Sequence, residues 1–293
     1  MTANVSAQHL RGILMMIGAF GLFSVLDACA KSLLPELNPP TIVFMRYLLG
    51  LAFALGWILL AGEGQLFRSV HPRTQFLRGV LLLASTAFNF SALQYLQLAQ
   101  TSAIMFSNPL WVCALSHLIL KERVGPRRWA AVIVGFGGVL IIMRPGFGGF
   151  RWAMILSILA ALSGALYQLT TRRVGADDRS ETSLLHGTLW GTVCALPATA
   201  FSFQLPSGWQ WPVLILAGFC GSFGHYLLIA AHRLAPASLL APYSYTQIIW
   251  MMFLGFALFG QIPDLPTLVG ALIVIASGLY VFHRERVVGL GHY

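Results

Sequence analysis

The chain has 293 residues, of which 57% are hydrophobic and only 9% are charged, and its formal net charge is +9. Soluble domains carry roughly 25% charged residues, so this composition excludes an ordinary soluble protein and predicts an integral membrane protein. The positive charge does not indicate nucleic-acid binding, because no basic domain presents it; it favours basic loops held against an anionic lipid leaflet.

Ten apolar segments follow one another along the chain, each near the roughly 20 residues that a helix needs to cross a bilayer. They are continuously apolar and do not alternate, which predicts helices and not barrel strands. The predicted spans are residues 12–33, 41–61, 77–98, 101–120, 128–144, 151–172, 184–204, 212–231, 238–259 and 267–284. The residues before the first span are too polar and too few for a cleavable signal, so we expect that span to be retained.

The distribution of Lys and Arg predicts that both termini are cytoplasmic. With the N-terminus inside, the only basic residues among the 18 on the other side are Lys31, Arg46, Arg144 and Arg151. The predicted organisation is a cytoplasmic segment, two five-helix units and a cytoplasmic tail, at residues 1–11, 12–146, 147–284 and 285–293.

An internal repeat relates the two halves of the chain. The motif LAQTSA at Leu98–Ala103 returns as LAPASL at Leu234–Leu239, and the same alignment places Asn89 on His225. Since each unit holds an odd number of spans, the second unit must start from the opposite side of the membrane. An inverted repeat of this kind is typical of secondary transporters, whose substrate site lies near the bilayer midplane between the halves.

Asn89 and His225 are the first candidate substrate-binding residues. Helical rise puts them roughly 18 and 20 Å into their spans, so both lie near the centre of a core about 30 Å thick. We expect Asn89, with its neighbour Phe88, to line a cavity, because an unpaired amide in apolar packing is costly. His225 is compatible with cavity lining, with proton coupling or with a neutral hydrogen bond between helices.

Prolines interrupt the fourth and ninth spans at corresponding places, in FSNPLW around Pro109 and APYSYTQIIW around Pro242. Interrupted segments in both halves indicate a transporter binding site, although Trp and Tyr near helix ends are also common interface anchors. The further binding candidates are Asn108, Trp111, Tyr243, Ser244, Tyr245, Gln247 and Trp250, with Tyr167 and Gln168 from the sixth span.

Three charged residues fall within the first two spans: Asp27, Lys31 and Arg46. Charges inside a membrane are expected to be paired or wetted, so we expect the three to meet near the outer boundary. They form either a structural ion-pair cluster, a gate that closes in one state, or a site for a substrate carboxylate. Arg46 is the best carboxylate candidate, because a guanidinium binds both oxygens at once.

No enzyme, metal or cofactor chemistry is predicted. The cysteines Cys29, Cys113, Cys194 and Cys220 lie in predicted spans without metal-ligand spacing. The sequence contains no H-E-x-x-H, no G-x-S-x-G, no paired carboxylates inside the bilayer and no ATP-binding motif.

Several motifs resemble one family. They are F-x-R early in the second span, the L-x-x-A-x-x-S turn before spans four and nine, and LKERVGPRRWAAVIVGFGGVLII at Leu120–Ile142. Together with the five-plus-five repeat, they make the chain similar to the EamA type of the drug/metabolite transporter superfamily, and most similar to its bacterial aromatic amino-acid exporters. The second unit departs from the pattern. Gln261 occupies the position equivalent to Glu122 of the first unit, and no arginine occupies the position equivalent to Arg46.

The resemblance implies a secondary transporter that exports small organic metabolites, in the first place aromatic or neutral amino acids, by alternating access. Another solute class, such as drug-like compounds or nucleotide-linked metabolites, is the alternative, followed by an intramembrane enzyme. The expected partners are the small-molecule substrate and the bilayer, without nucleic acid. The expected location is the bacterial inner membrane, with a monomer slightly favoured and proton coupling left open.

Overall fold

The fold consists of helices. The computed structural model describes residues 2–61, 68–119, 125–144, 151–174, 178–235 and 237–289, and within these ranges it contains no strand. The helices of the first half are α1 (Thr2–Leu33), α2 (Pro39–Ala61), α3 (Pro72–Leu93), α4 (Leu98–Met105), α5 (Asn108–Ile119) and α6 (Pro126–Met143). Those of the second half are α7 (Ala153–Val174), α8 (Ser180–Ala200), α9 (Gln210–Leu234), α10 (Ala237–Ser244), α11 (Thr246–Phe259) and α12 (Leu265–Gly289). Residues 120–124, which begin the LKERVGPRRWAAVIVGFGGVLII motif, lie outside the described residues.

Six helices in the described part of the chain are long and apolar enough to cross a membrane. They are α1, α2, α3, α6, α7 and α9. The predictions of an all-helical chain and of a membrane protein are therefore confirmed. The four other predicted spans correspond to α8, α12 and the two interrupted pairs α4–α5 and α10–α11, and their crossing of the membrane stays a prediction.

The fourth and ninth predicted spans are each divided into two helices. In the first half the break covers Phe106 and Ser107, and Pro109 sits in the first turn of α5, where a missing N–H removes no helical hydrogen bond. In the second half Pro242 lies inside α10 and the break falls at Tyr245.

The third span ends earlier than the sequence pattern suggested. It was predicted at 77–98, whereas α3 ends at Leu93 and Leu98 already begins α4. At the start of α4 the Gln100 Oε1 atom accepts a hydrogen bond of 3.3 Å from the Gln97 backbone amide, as one half of a capping box does. The LAQTSA motif therefore forms most of the short helix α4, which runs from Leu98 to Met105.

Helices of the two halves pack against one another. Contacts join α1 to α9, α3 to α7, α2 to α8, and α6 to α12. The seam between α6 and α12 requires glycine, because a Cβ on Gly138 would lie 2.9 Å from the carbonyl oxygen of Gly270. The halves are thus interleaved, and the polar cavity described below lies between helices of both.

Candidate functional site

A small cavity lies among α2, α3, α7, α8 and α9. Its volume is about 20 Å3, enough for one or two water molecules. Its polar and charged lining consists of Arg46, Tyr47, Tyr167, Ser183, Thr188, Ser222 and His225. Of the candidates predicted from sequence, the cavity brings together Arg46, Tyr167 and His225.

Arg46 of α2 is held rigidly at the cavity wall. Its guanidinium carbon lies 4.3 Å from the centre of the Tyr47 ring, a distance suited to a cation–π contact. A Cβ placed on Gly221 of α9 would lie 3.1 Å from the Arg46 Nε atom, so the missing side chain leaves room for the guanidinium. Arg46 is 6% exposed, and its Nε is buried without a hydrogen-bond partner among the described residues.

His225 of α9 lines the same cavity. Its ring packs on Phe23 of α1 with 4.9 Å between the ring centroids. Arg46 and Arg78 both lie close enough to interact with it electrostatically. The imidazole therefore packs on an aromatic ring and lies within electrostatic range of two guanidinium groups.

Asn89 does not line this cavity. Its Nδ2 atom donates a hydrogen bond of 2.9 Å to Oδ1 of Asp27, which joins α3 to α1. A buried amide donor gains more from a carboxylate than from a neutral acceptor, because charge-assisted hydrogen bonds are stronger. The expected meeting of Asn89 and His225 in one chamber is not found, and the binding role of Asn89 stays a prediction.

Lys31 does not join Asp27 and Arg46. Its Nζ atom donates to the backbone carbonyls of Leu93 at 2.8 Å and Leu96 at 2.6 Å. The last carbonyls of a helix lack internal partners and carry partial negative charge, so they attract a cation. The structure thus separates the three predicted charges, and their role as a gate stays a prediction.

The candidates from the interrupted helices lie outside the cavity lining. Tyr245 is buried against Phe106, with 5.1 Å between ring centroids. Asn108 Nδ2 donates to the carbonyl of Ala161 at 3.0 Å. Trp250 is 41% exposed. Trp111 packs on the ring of Phe136, and Tyr243 packs on an apolar cluster. Gln168 is exposed. The remaining candidates are partly buried: Phe88, Ser244 and Gln247.

The site includes one residue that the sequence analysis had assigned only to the cytoplasmic charge. Arg78 of α3 is 2% exposed. It donates to Thr171 Oγ1 at 2.9 Å, to Tyr167 Oη at 3.3 Å and to the Gln75 side-chain oxygen. The sequence did contain an indication of this role. Arg78 precedes Asn89 by 11 residues, two steps of four and one of three, so both lie on the same face of α3.

Asp178 lies at the end of this hydrogen-bond network that is farthest from the cavity. Its carboxylate accepts hydrogen bonds from the Gln75 Nε2 and the Val70 amide, each at 2.8 Å, and from the Ser69 hydroxyl. Burial opposes its charged form, but these hydrogen bonds outweigh burial and lower the pKa of Asp178 below its usual value. A continuous polar chain therefore runs from the segment before α3 to the Tyr167 wall of the cavity.

Several transporters are similar to this chain over nearly their whole length. A riboflavin transporter from Rhizobium johnstonii is 28% identical, over 94% of this chain and 91% of its own. An S-adenosylmethionine uptake transporter from Rickettsia bellii is 27% identical, over 89% of each chain. A pseudopaline exporter from Pseudomonas aeruginosa is 23% identical, over 94% and 97%.

A solved crystal structure has the same fold. It matches with a TM-score of 0.68 at 18% sequence identity, over 94% of this chain and 98% of that one. The model of the EamA-like transporter family matches residues 10–144 and 151–282. These two segments cover most of the chain, and the resemblance stated from the motifs is confirmed. The chain belongs to the EamA-like transporter family.

Proposed function

We propose that this small-molecule transporter is a secondary carrier that moves a ring-bearing organic metabolite by alternating access through the cavity of Arg46, Tyr167 and His225. The observation that carries the proposal is the position of that cavity, which is walled by helices from both halves of the chain. An exchange of packing between the halves then opens the same site to either side of the membrane.

The architecture proposed for this cycle is the ten-span inverted repeat with cytoplasmic termini. Its units are residues 12–146 and 147–284, flanked by 1–11 and 285–293. Two observations support it. The family model matches twice, and the packing between halves is reciprocal, since α1 contacts α9 as α7 contacts α3. The excess of Lys and Arg in alternate loops supports the orientation.

The observed cavity corresponds to an occluded state in this proposal. Ligand pockets usually measure about 300–1,000 Å3, so a volume of about 20 Å3 must grow before a metabolite enters. The hydrogen bonds of Arg78 close the cytoplasmic side beside Tyr167, and the contacts of Lys31 with the end of α3 close the outer side. Opening one of them at a time gives alternating access.

The solute class is supported by the cavity rings and by the relatives. Tyr47, Tyr167 and His225 offer flat apolar faces with polar edges, and such faces stack on planar rings. Riboflavin and S-adenosylmethionine, which the names of two relatives carry, both contain fused heteroaromatic rings. The relatives include an uptake transporter and an exporter, so export of aromatic or neutral amino acids stays a narrower prediction.

Counterflow in proteoliposomes tests the proposal. Vesicles preloaded with riboflavin, S-adenosylmethionine, phenylalanine or the anion indole-3-acetate are exposed to the labelled compound, with and without a pH gradient. We expect saturable accumulation of at least one compound, and His225→Ala to weaken half-saturation at least about tenfold, which equals 1.4 kcal/mol. His232→Ala is the matched control, because His232 lies on the same helix and is exposed. Absence of flux for all compounds, or equal effects of both variants, rejects the proposal.

A further inference from the structure

Resting on the proposed function, we infer that the transported metabolite is an organic anion whose carboxylate binds Arg46. The inference concerns the charge of the substrate and therefore narrows the ring-bearing class given above. Four observations support it. The cavity wall is positively charged, and the Arg46 guanidinium is packed between neighbours. Its Nε atom has no hydrogen-bond partner among the described residues, and Asp27 is bonded to Asn89.

The cavity wall is positively charged. Among the described residues that line it, Arg46 is the charged side chain and none is Asp or Glu. Arg78 stands directly behind Tyr167, with its guanidinium carbon 5.2 Å from the centre of that ring. In a medium of low dielectric such a wall attracts an anion and repels a cation.

Arg46 is preorganised for binding. Contact with the Tyr47 ring on one side and the space left by Gly221 on the other hold the guanidinium in place while it is 6% exposed. Holding a donor rigidly before the ligand arrives avoids the ordering cost on binding. A planar guanidinium then offers two parallel N–H groups to the two oxygens of a carboxylate.

The Nε donor of Arg46 is buried without a partner among the described residues. A buried donor left unsatisfied is costly, and more so when it belongs to a charged group. A substrate oxygen accepting from this atom removes that cost only while the substrate is bound. The gain is therefore specific to an acceptor such as a carboxylate.

Asp27 does not neutralise Arg46 by direct pairing. The two interact electrostatically, but the ion pairs among the described residues do not include them. The Oδ1 of Asp27 accepts from Asn89 instead. The Nε donor of Arg46 thus stays available for a ligand while Asp27 moderates the charge of the guanidinium from a distance.

Matched acids and amides test this inference independently of transport. Binding of nicotinate and nicotinamide, and of indole-3-acetate and indole-3-acetamide, is measured on the purified full chain in nanodiscs by isothermal titration. We expect the acids to bind at least tenfold more tightly than their amides, and Arg46→Gln to abolish this preference while Arg46→Lys retains part of it. Arg127→Gln serves as the control, because Arg127 is exposed and lies outside the cavity lining.

A double variant separates ligand binding from charge balance. If Arg46 serves only to balance Asp27, then Asp27→Asn combined with Arg46→Gln restores the preference for acids; if it binds the carboxylate, the double variant stays unselective. Equal binding of acid and amide by the natural chain, no binding of either acid, or recovery in the double variant overturns the inference. Acid preference without any saturable flux rejects only the proposed function, and flux with equal affinity for amides rejects only the inference.

Discussion

Asn89 of α3 donates a hydrogen bond of 2.9 Å to the carboxylate of Asp27 on α1. Both residues are buried, with 8% and 9% of their surfaces exposed. The sequence assigned them to different places, one to a central chamber and the other to an outer charge cluster. The structure makes them one polar pair between two helices, and this changes what their substitution is expected to do.

Asn89→Ala is expected to destabilise the fold as well as to affect transport. It leaves the Asp27 carboxylate without this donor, and a hydrogen bond to a charged group contributes about 1.5–3 kcal/mol. The measurement is thermal unfolding of the detergent-solubilised chain. The exchange of both residues, Asp27→Asn with Asn89→Asp, keeps one amide and one carboxylate in contact and should recover most of the loss. An equally unstable exchange variant would contradict the pair.

Arg78→Ala is expected to open the side of the cavity that is cytoplasmic in the proposed topology. The substitution removes the three hydrogen bonds to Gln75, Thr171 and Tyr167. A reporter cysteine at Leu184, which lines the cavity, is introduced after the native cysteines are replaced. Labelling by an impermeant maleimide from the cytoplasmic face should become at least about tenfold faster, since each lost bond to the charged group contributes about 1.5–3 kcal/mol.

Arg127→Ala is the matched control for this labelling experiment. Arg127 is exposed and lies at the start of α6, away from the cavity lining. An unchanged labelling rate in Arg78→Ala, or the same acceleration in both variants, would show that the Arg78 network does not close the cavity.

Asp178 predicts a particular pH dependence of stability. Burial raises its pKa, but hydrogen bonds from Ser69, Gln75 and Val70 outweigh burial and leave it lowered. A carboxyl whose pKa is lower in the folded chain stabilises the fold fully above its unfolded pKa of about 4, and loses that contribution as the pH falls through the folded value.

The corresponding measurement compares the unfolding temperature of the natural chain with that of Asp178→Asn across pH. We expect a constant difference from pH 7 down to about pH 5, and a shrinking one below about pH 4. Ser69→Ala removes one donor and raises the folded pKa towards the unfolded value, so it should reduce the difference at neutral pH and complete its loss at a higher pH. A difference that grows on acidification would mean that the folded pKa of Asp178 is raised.

Tyr245 and Gly278 give a test of a core role against a binding role. A Cβ on Gly278 would overlap the Tyr245 hydroxyl oxygen, so Gly278→Ala should destabilise the fold by about 1–3 kcal/mol through overpacking. Tyr245→Phe removes that oxygen, which has no hydrogen-bond partner among the described residues. The double variant should therefore be more stable than Gly278→Ala alone, as measured by thermal unfolding.

Transport by Tyr245→Phe completes this test. We expect flux equal to that of the natural chain within twofold, because Tyr245 packs against Phe106 and lies outside the cavity lining. A loss of substrate affinity with unchanged stability would instead support the binding role predicted for Tyr245 from the sequence.

The helices were predictable because apolar length and proline position act locally. Pro109 and Pro242 indicated the two interrupted segments, and runs of about 20 apolar residues indicated the long helices. The end of α3 at Leu93 was not predictable in the same way. It involves the bonds of Lys31 to the carbonyls of Leu93 and Leu96 and the bond of the Gln97 amide to Gln100, which are three-dimensional contacts that hydropathy does not report.

The site was predictable only in part, because periodicity identifies a helix face but not the neighbour that this face meets. Depth placed His225 near the centre of its span, and the structure has it in the cavity lining. Arg46 was expected near the outer boundary, and it is buried and lines the same cavity. Depth did not indicate that Asn89 would turn towards α1, since that choice depends on where Asp27 lies in three dimensions. Arg78 was overlooked because a basic residue near a span end resembles a topology signal.

Lys31 and Asp27 of α1 grip α3 at two different heights, one through the carbonyls at its end and the other through the Asn89 amide. Two contacts at different points along the helix axes oppose both sliding and tilting of α1 relative to α3. Helices α1 and α3 should therefore move together as one rigid unit during the proposed transport cycle. The rearrangement should then occur mainly where α1 contacts α9 and where α3 contacts α7.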